Sequence, residues 1–222
     1  MCLIVLKPAD EHATRKDLRD GYSKNPDGSG FMYCQSGRVI IQKGFTSFKS
    51  FYTALREAEK ICANSHFVIH FRLATSGKQN KQATHPFFVR HGKIGFVHNG
   101  ILSGKGNAKY SDTQKYNHFV LKNLPEDFLY NTAIMWLIEN YAKKEHSKFV
   151  FLDDSGEYFV VNEKSGHWKD GCWFSSGGSM FDYDGYTWSE CDICSGYFPN
   201  SDMILENDSS LICKDCSEKI PF

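Results

Sequence analysis

Four cysteines near the C-terminus form two C-x-x-C pairs, and this pattern constrains the fold more than any other feature of the chain. Cys191 and Cys194 form the first pair, and Cys213 and Cys216 form the second pair 18 residues later. Pairs at this spacing are typical of a tetrahedral zinc site with four thiolate ligands. The surrounding segment has few apolar residues, so we expect it to need the metal in order to fold. The sequence therefore predicts one structural zinc ion per chain, held in a small zinc ribbon.

Composition limits the remaining choices. The chain has 222 residues, enough for one good-sized domain with a small appendage. Its formal net charge is zero, so no long-range field favours nucleic acid or an anionic membrane surface. No segment approaches the roughly 20 apolar residues that span a bilayer, and the first apolar stretch is too short for a signal peptide. Cysteines that bind a metal indicate a reducing compartment, so we expect a cytoplasmic protein.

The order of predicted elements indicates an α+β fold. Residues 2–7 predict a buried strand, and the segments flanking Gly37 predict a hairpin. Helical spacing of apolar residues runs from Ser47 to about 63, and strand alternation runs from His66 to Arg72. Further strands and helices follow without a regular βαβ alternation. The composition changes after Ser176, which divides the chain into a domain over 1–176, a linker over 177–187 and the zinc ribbon over 188–222.

Cys2 is the first candidate for chemistry. It directly follows Met1, and a small residue there allows an aminopeptidase to remove the methionine. A cysteine at the amino terminus combines a nucleophilic thiol with an α-amine whose pKa is near 8, so it needs no separate histidine as a base. The alternative is that Cys2 is a small apolar residue that begins a strand.

Three further segments add groups that suit an amide substrate. Arg72 ends a strand and presents a planar fork for a carboxylate. Asn99 and Gly100 end another strand at a sharp turn, where a carboxamide and a backbone N–H can stabilise an oxyanion. Asp112 lies at a predicted helix start and can bind an ammonium group. Each has a structural alternative. Arg72 could be a surface residue of a strand, Asn99-Gly100 an ordinary hairpin turn, and Asp112 a helix N-cap.

Taken in order, these segments resemble the motif series of class II glutamine amidotransferases. The motifs are Met1-Cys2, His70-x-Arg72-x-x-Thr75, Thr84-His-Pro-Phe87, His98-Asn-Gly100 and Ser111-Asp-Thr113, with Asn25-Pro-Asp-Gly28 resembling a glycine-rich loop of one subgroup. The resemblance covers about residues 1–176. It implies the N-terminal-nucleophile (Ntn) hydrolase fold, a four-layer αββα sandwich.

The resemblance also implies a role for individual residues. Cys2 is the expected nucleophile, and Asn99 with the backbone of Gly100 forms the expected oxyanion hole. Arg72 is expected to bind the α-carboxylate of glutamine, and Asp112 its α-amino group. Thr75 and His85 are expected to line the pocket, with His98 supporting the turn before Gly100.

The expected substrate is glutamine, and the expected product is ammonia. Because the chain has no room for a synthase domain, we expect a separate synthase or synthetase partner, with the zinc ribbon as a docking surface. Two alternatives stay open: a free-standing amidohydrolase acting on another small amide, and a non-enzymatic regulator that works through the ribbon. Nucleic acid is a less favoured partner because Lys214 and Lys219 are the only basic residues of the ribbon, and we expect no membrane association.

Overall fold

The computed structural model describes residues 2–73, 83–103, 110–176, 188–194, 197–199, 202–206 and 210–218. The α-helices are α1 (Arg15–Lys24), α2 (Phe48–Ile61), α3 (Asp112–Phe119), α4 (Thr132–Lys144) and α5 (Lys214–Ser217). The strands are β1 (Leu3–Lys7), β2 (Ser29–Gln35), β3 (Arg38–Phe45), β4 (Phe67–Phe71), β5 (Phe87–Arg90), β6 (Ile94–Asn99), β7 (Lys148–Asp153), β8 (Tyr158–Val161), β9 (His167–Lys169), β10 (Cys172–Phe174), β11 (Trp188–Glu190), β12 (Tyr197–Pro199), β13 (Met203–Glu206) and β14 (Ser210–Cys213). The predicted linker over 177–187 lies outside the described residues.

The first large sheet has six strands in the order β3-β2-β4-β1-β10-β9, with antiparallel pairing. The predicted hairpin around Gly37 is confirmed as the β2–β3 pair. Strand β1 is buried along its whole length between β4 and β10, and Leu3 lies opposite Phe71. This register brings the chain just after Cys2 beside the end of β4, where Arg72 follows.

The second large sheet has four antiparallel strands in the order β5-β6-β7-β8. Strands β5 and β6, on either side of His91-Gly92, form an antiparallel pair. Strand β6 ends at Asn99, directly opposite Lys148 at the start of β7. The second sheet therefore delivers the Asn99–Gly100 turn at one end.

Three apolar clusters hold these elements together. One packs α1 and α2 against the first sheet, and another packs α3 and α4 against the second sheet. The third contains Ile4 and Val68 from the first sheet and Val97 and Val150 from the second, so it lies between the sheets. The chain is thus a mixed α and β fold in which β1 and β6 contribute to the same inter-sheet core.

The C-terminal cysteine-bearing segment forms two small hairpins, β11–β12 and β13–β14, followed by α5. Asp192 connects this segment to the rest of the molecule by ion pairs with Arg15 and with Arg19, the latter at 2.8 Å. The two guanidinium groups also stack on the ring of Phe48 in α2. The first C-x-x-C pair is therefore docked against α1 and α2.

Helix α1 was not predicted from the sequence.

Among the described residues, none of the helices has the length and apolar composition that crossing a bilayer requires.

Candidate active site and metal centre

Cys2 lies half-buried just before β1, and its thiol contacts the backbone of Leu73. The N–H of Leu73 donates to Sγ at 3.4 Å, and Sγ lies 3.6 Å from the Leu73 carbonyl oxygen. Burial raises the pKa of the Cys2 thiol, and this effect outweighs the lowering by the Leu73 N–H and by the charge of Arg72. The thiol is therefore protonated at neutral pH and needs a base in order to become a nucleophile.

Arg72 stands next to the thiol because it precedes Leu73 in the chain. Its backbone is fixed by two hydrogen bonds to the loop before β2, from Arg72 N to Gly28 O at 2.8 Å and from Asp27 N to Arg72 O at 3.0 Å. Its Nη1 is buried and has no hydrogen-bond partner among the described residues. A buried guanidinium donor without a partner is costly, so this position favours an anionic group that satisfies it.

Asn99 ends β6 with only 1% of its surface exposed. Its Nδ2 donates to the Ser175 hydroxyl at 2.8 Å and lies 3.5 Å from the Ser176 hydroxyl. The Ser176 hydroxyl donates to the carbonyl oxygen of Cys2 at 3.4 Å. The Asn99 carboxamide oxygen is buried without a partner in the described part of the chain. Two serines thus link the predicted oxyanion donor to the predicted nucleophile.

Gly100 adopts φ of +144°, a conformation that residues with a side chain rarely adopt. A Cβ at this position would also approach the Cα of Ser147 to 2.8 Å. The Ser147 hydroxyl lies 3.1 Å from His98 Nε2, and His98 Nδ1 lies 2.8 Å from the Thr113 hydroxyl. The turn at Gly100 is therefore packed against Ser147, which directly precedes β7, and requires glycine.

Asp112 begins α3 and faces the segment that follows Gly100. Its Oδ2 accepts from Leu102 N at 2.8 Å, and its Oδ1 accepts from Thr113 N at 2.7 Å. A carboxylate offers about four acceptor positions, so these bonds orient Asp112 without exhausting it. The capping of α3 is performed instead by Ser111, whose hydroxyl accepts from Gln114 N. The alternative that Asp112 is the N-cap residue is therefore wrong.

Three buried histidines lie behind this region. The His70 and His85 rings are 4.2 Å apart, and His70 Nε2 donates to the carbonyl oxygen of His98 at 3.1 Å. Burial lowers the pKa of His70 to about 3 and that of His98 to about 4, and it lowers the pKa of His85 well below its usual value. All three are neutral at pH 7. Both ring nitrogens of His85 are buried without a partner among the described residues, and Thr75 lies outside those residues.

The predicted grouping of the four C-terminal cysteines is confirmed. The sulfur atoms of Cys191, Cys194, Cys213 and Cys216 all lie within 4.8 Å of one another, and those of Cys194 and Cys213 are 3.9 Å apart. Zinc bound tetrahedrally at about 2.3 Å would place its sulfur ligands about 3.8 Å apart. The cluster therefore has the dimensions and the donor chemistry of a four-thiolate metal site.

The Cys191 thiol is already prepared as a ligand. Burial alone would raise its pKa, but backbone N–H groups of Cys194, Cys213 and Ile193 lower the pKa to about 6. The N–H of Cys213 donates to Cys191 Sγ at 3.3 Å. Because metal ligation requires the thiolate, these N–H groups stabilise the form that binds.

Sequence reasoning missed the serines of the site. Ser147, Ser175 and Ser176 make the contacts that join the Gly100 turn, Asn99 and Cys2. Serine occurs in turns, caps and cores alike, so none of these positions carried a pattern that could have distinguished it. Only the pairing of distant strands identifies them.

A family model described as glutamine amidotransferases class-II matches residues 13–118. The matched range contains Arg72, Asn99 and Asp112, whereas Cys2 and the four clustered cysteines lie outside it. The match supports an enzyme of the amidohydrolase and amidotransferase kind. A search of curated proteins gave no match.

Among solved structures, the chain is similar to the glutamine phosphoribosylpyrophosphate amidotransferase of B. subtilis, complexed with ADP and GMP. The sequence identity is 13%, and the TM-score is 0.43. The alignment covers 78% of this chain and 41% of that enzyme. The chain thus spans less than half of the length of this relative.

Proposed function

We propose that this protein hydrolyses the side-chain amide of glutamine at Cys2 and supplies the ammonia to an acceptor on a partner protein. The observation that carries the proposal is the position of the Cys2 thiol, which contacts the Leu73 backbone beside Arg72. Asn99 is connected to Cys2 and the start of β1 through hydrogen bonds of Ser175 and Ser176. The proposal is supported by a thiol, a guanidinium donor without a partner among the described residues, and a carboxamide at one end of the two sheets.

In the proposed reaction, removal of Met1 exposes the α-amine of Cys2. This amine takes the proton that burial keeps on the thiol. The thiolate attacks the amide carbon, and the oxyanion that forms accepts hydrogen bonds from Asn99 Nδ2 and the Gly100 N–H. The intermediate collapses as the α-ammonium gives its proton to the leaving nitrogen, which departs as ammonia. Water then attacks the thioester, which yields glutamate and restores the thiol.

The other end of the substrate requires charged partners. We assign the α-carboxylate of glutamine to Arg72, whose Nη1 lacks a partner among the described residues. We assign the α-ammonium group to Asp112, whose remaining acceptor positions suit a cation. Thr75 and His85 are proposed to line the same pocket.

The proposed architecture has two modules. Residues 1–176 form a four-layer αββα sandwich of the Ntn-hydrolase kind, and residues 188–222 form a zinc ribbon after a linker over 177–187. Three apolar clusters, one between the sheets and one on each outer side, support the layering. Cys191, Cys194, Cys213 and Cys216 would hold one zinc ion, which supplies folding energy rather than chemistry because four cysteine ligands leave no open position.

The assigned cysteine chemistry also suggests a cellular compartment and a partner protein. A thiol nucleophile and a four-thiolate metal site both require a reducing compartment, so we propose the cytoplasm. The ammonia acceptor is proposed to reside on a separate synthase or synthetase, and the zinc ribbon is the proposed docking surface for it.

The proposal is tested with purified full-length protein by measuring ammonia release from glutamine. Cys2→Ala should abolish this release and leave the fold intact, because Cys2 is the only cysteine among the described residues whose thiol contacts Leu73. The thiol-directed analogue 6-diazo-5-oxonorleucine should label Cys2, as detected by mass spectrometry of the intact chain and its peptides. Intact mass also shows whether Met1 has been removed.

Cys62→Ala is the matched control, because Cys62 ends α2 away from the site and should not affect the rate. Ammonia release that survives Cys2→Ala, or that persists with Met1 fully retained, would sink the proposed mechanism. Release from asparagine or another small amide but not from glutamine would favour the free-standing amidohydrolase. No release from any amide would favour the non-enzymatic regulator.

A further inference from the structure

The Ser175 hydroxyl occupies a fully buried position between the nucleophile strand and Asn99. The backbone N–H of Ile4 donates to Ser175 Oγ at 2.8 Å, and the Ser175 N–H donates to the Ile4 carbonyl at 3.0 Å. Asn99 Nδ2 donates to the same Oγ at 2.8 Å. The main chain of Ser175 is therefore fixed to Ile4, which lies two residues after Cys2. The side chain of Ser175 contacts Asn99, the predicted oxyanion donor.

The hydrogen-bond donors and acceptors of Ser175 and Asn99 are not matched at this contact. A serine hydroxyl has one hydrogen and two lone pairs. Both lone pairs of Ser175 are occupied by N–H donors, and its hydrogen has no acceptor among the described residues. Asn99 Oδ1 is buried and has no donor in the same set of residues. An unused donor and an unused acceptor therefore lie on two side chains that already touch.

Rotating the Asn99 carboxamide by about 180° resolves this imbalance, since its oxygen and nitrogen have nearly the same shape. The Ser175 O–H then donates to Oδ1, and the buried acceptor is satisfied. The rotation also moves the NH₂ group away from Ser175 and Ser176. It brings that group to the position that Oδ1 occupies without a partner, where it can donate to a bound molecule.

We propose that Ser175 is a positioning residue for the reaction: its hydroxyl holds the Asn99 carboxamide with the oxygen towards Ser175 and the NH₂ group towards the reacting oxygen. This inference rests on the proposed oxyanion role of Asn99. An oxyanion hole is effective because its donors are oriented before charge develops. A carboxamide free to turn would present its oxygen to the oxyanion part of the time, and the two negative atoms would repel each other.

The test is a double-mutant cycle on ammonia release from glutamine. Ser175→Ala should lower kcat by about 10-fold or more with little change in KM, and Asn99→Ala should lower kcat by about 100-fold or more. In the Asn99→Ala background, Ser175→Ala should have no further effect, because no carboxamide is left to orient. A serine that only braces β1 through Ile4 would lower kcat in both backgrounds, and that result would overturn the inference.

Two further variants keep the test decisive. Ser176→Ala is the matched neighbour: its hydroxyl lies 3.5 Å from Asn99 Nδ2, so kcat should fall much less than with Ser175→Ala. Ser175→Cys keeps a polar hydrogen in a similar volume, so it should retain more turnover than Ser175→Ala, and it serves if the alanine variant does not fold. An equal loss for the cysteine and alanine variants would contradict the orienting role.

The outcomes separate this inference from the proposed function. Wild-type protein that releases no ammonia from glutamine overturns both. Wild-type protein that is active and labelled at Cys2, together with additive effects of Ser175→Ala and Asn99→Ala, overturns only the role of Ser175.

Discussion

The thiols of Cys2 and of Cys191, which lies in the C-terminal cluster, have pKa values shifted in opposite directions. At Cys2, burial raises the pKa of the thiol, although the backbone N–H groups of Leu73 and of Cys2 itself and the charge of Arg72 act against it. At the C-terminal cluster, several N–H donors lower the pKa of Cys191 to about 6 although burial acts against them. The Cys2 thiol is held neutral beside groups that lack hydrogen-bond partners among the described residues, whereas the Cys191 thiol is stabilised as an anion among three other sulfur atoms.

This difference follows from what surrounds each sulfur. Near Cys2, the buried atoms without a partner among the described residues include Arg72 Nη1, Asn99 Oδ1 and both ring nitrogens of His85. Such atoms reduce stability unless a bound molecule satisfies them, so they indicate a site built for a ligand that comes and goes. At the cluster, four sulfurs face one another at metal-binding distances. A bound metal ion would complete that region.

The largest expected effect comes from removing the metal. Structural zinc provides on the order of 10 kcal/mol to small metal-dependent modules, so Cys213→Ser or chelation should unfold residues 188–218. The proposed glutaminase activity should largely remain, because Cys2, Arg72 and Asn99 are held by the two large sheets. Zinc content by mass spectrometry, limited proteolysis and ammonia release are measured on the same samples.

Cys34→Ser is the control for this experiment, since Cys34 lies on β2 outside the cluster. It should change neither zinc content nor proteolysis. Loss of zinc with complete loss of ammonia release would show that the cysteine-bearing segment completes the active site and that the two regions do not work independently.

The parts of the fold that were predicted correctly are those where apolar side chains report burial. The alternation in β4 was confirmed: Phe67, Ile69 and Phe71 pack against the helices, and Val68 packs between the sheets. The helix predicted from Ser47 was confirmed as α2, with Ser47 as its N-cap. Period and capping residues are local signals, so they are readable without knowledge of the tertiary structure.

Helix α1 shows why the rest was not predictable in this way. Its buried face includes Asp17, Arg19 and Gly21, which are not the residues of an apolar stripe. Lys169 pairs with Asp17 at 2.6 Å, and Asp192 pairs with Arg19 at 2.8 Å, so distant residues make this burial tolerable. The local signal was the Thr14 cap, which accepts from Asp17 N.

The candidate site divides in the same way. The motif residues lie in short segments with recognisable order, whereas Ser175 is brought to Asn99 by a contact with Ile4, 171 positions away. The spacing of the four cysteines was sufficient to predict their grouping, because each pair is local. The roles of Cys2, Arg72, Thr75, His85, Asn99, Gly100 and Asp112 stay predictions until they are tested.

Acid is expected to lower the stability of the fold, because the buried histidines are neutral in the folded chain. Unfolded histidine has a pKa near 6.5, whereas burial lowers the pKa of His70 to about 3 and of His98 to about 4. Between these values the unfolded chain binds protons that the folded chain does not. Stability is therefore full above about pH 6.5 and falls as the pH drops towards 4, by about 2 kcal/mol per histidine between pH 7 and pH 5.

Urea unfolding of the protein at several pH values measures this loss of unfolding free energy. His98→Gln should reduce the slope of stability against pH in this range, while His12→Gln, at an exposed position, should leave the slope unchanged. Zinc content at each pH separates this effect from loss of the metal. An unchanged slope in His98→Gln would mean that buried histidines do not account for the acid sensitivity.

The smallest expected effect tests how the two regions are joined. Asp192 lies inside the first C-x-x-C pair, and its carboxylate binds Arg15, Arg19 and the backbone N–H of Leu211. Asp192→Asn removes the charge without changing the shape, so it should lower the free energy of unfolding by about 1–2 kcal/mol. Zinc should still bind, because all four sulfur ligands remain.

Asp215 supplies the matched control, because it lies inside the second C-x-x-C pair and is exposed. Asp215→Asn should leave thermal unfolding unchanged. In Asp192→Asn, protease should cut residues 188–218 faster while ammonia release and zinc content stay near those of the wild type, since only the docking contact is weakened. Equal behaviour of the two variants would mean that the ion pairs with α1 do not hold the cysteine-bearing segment in place.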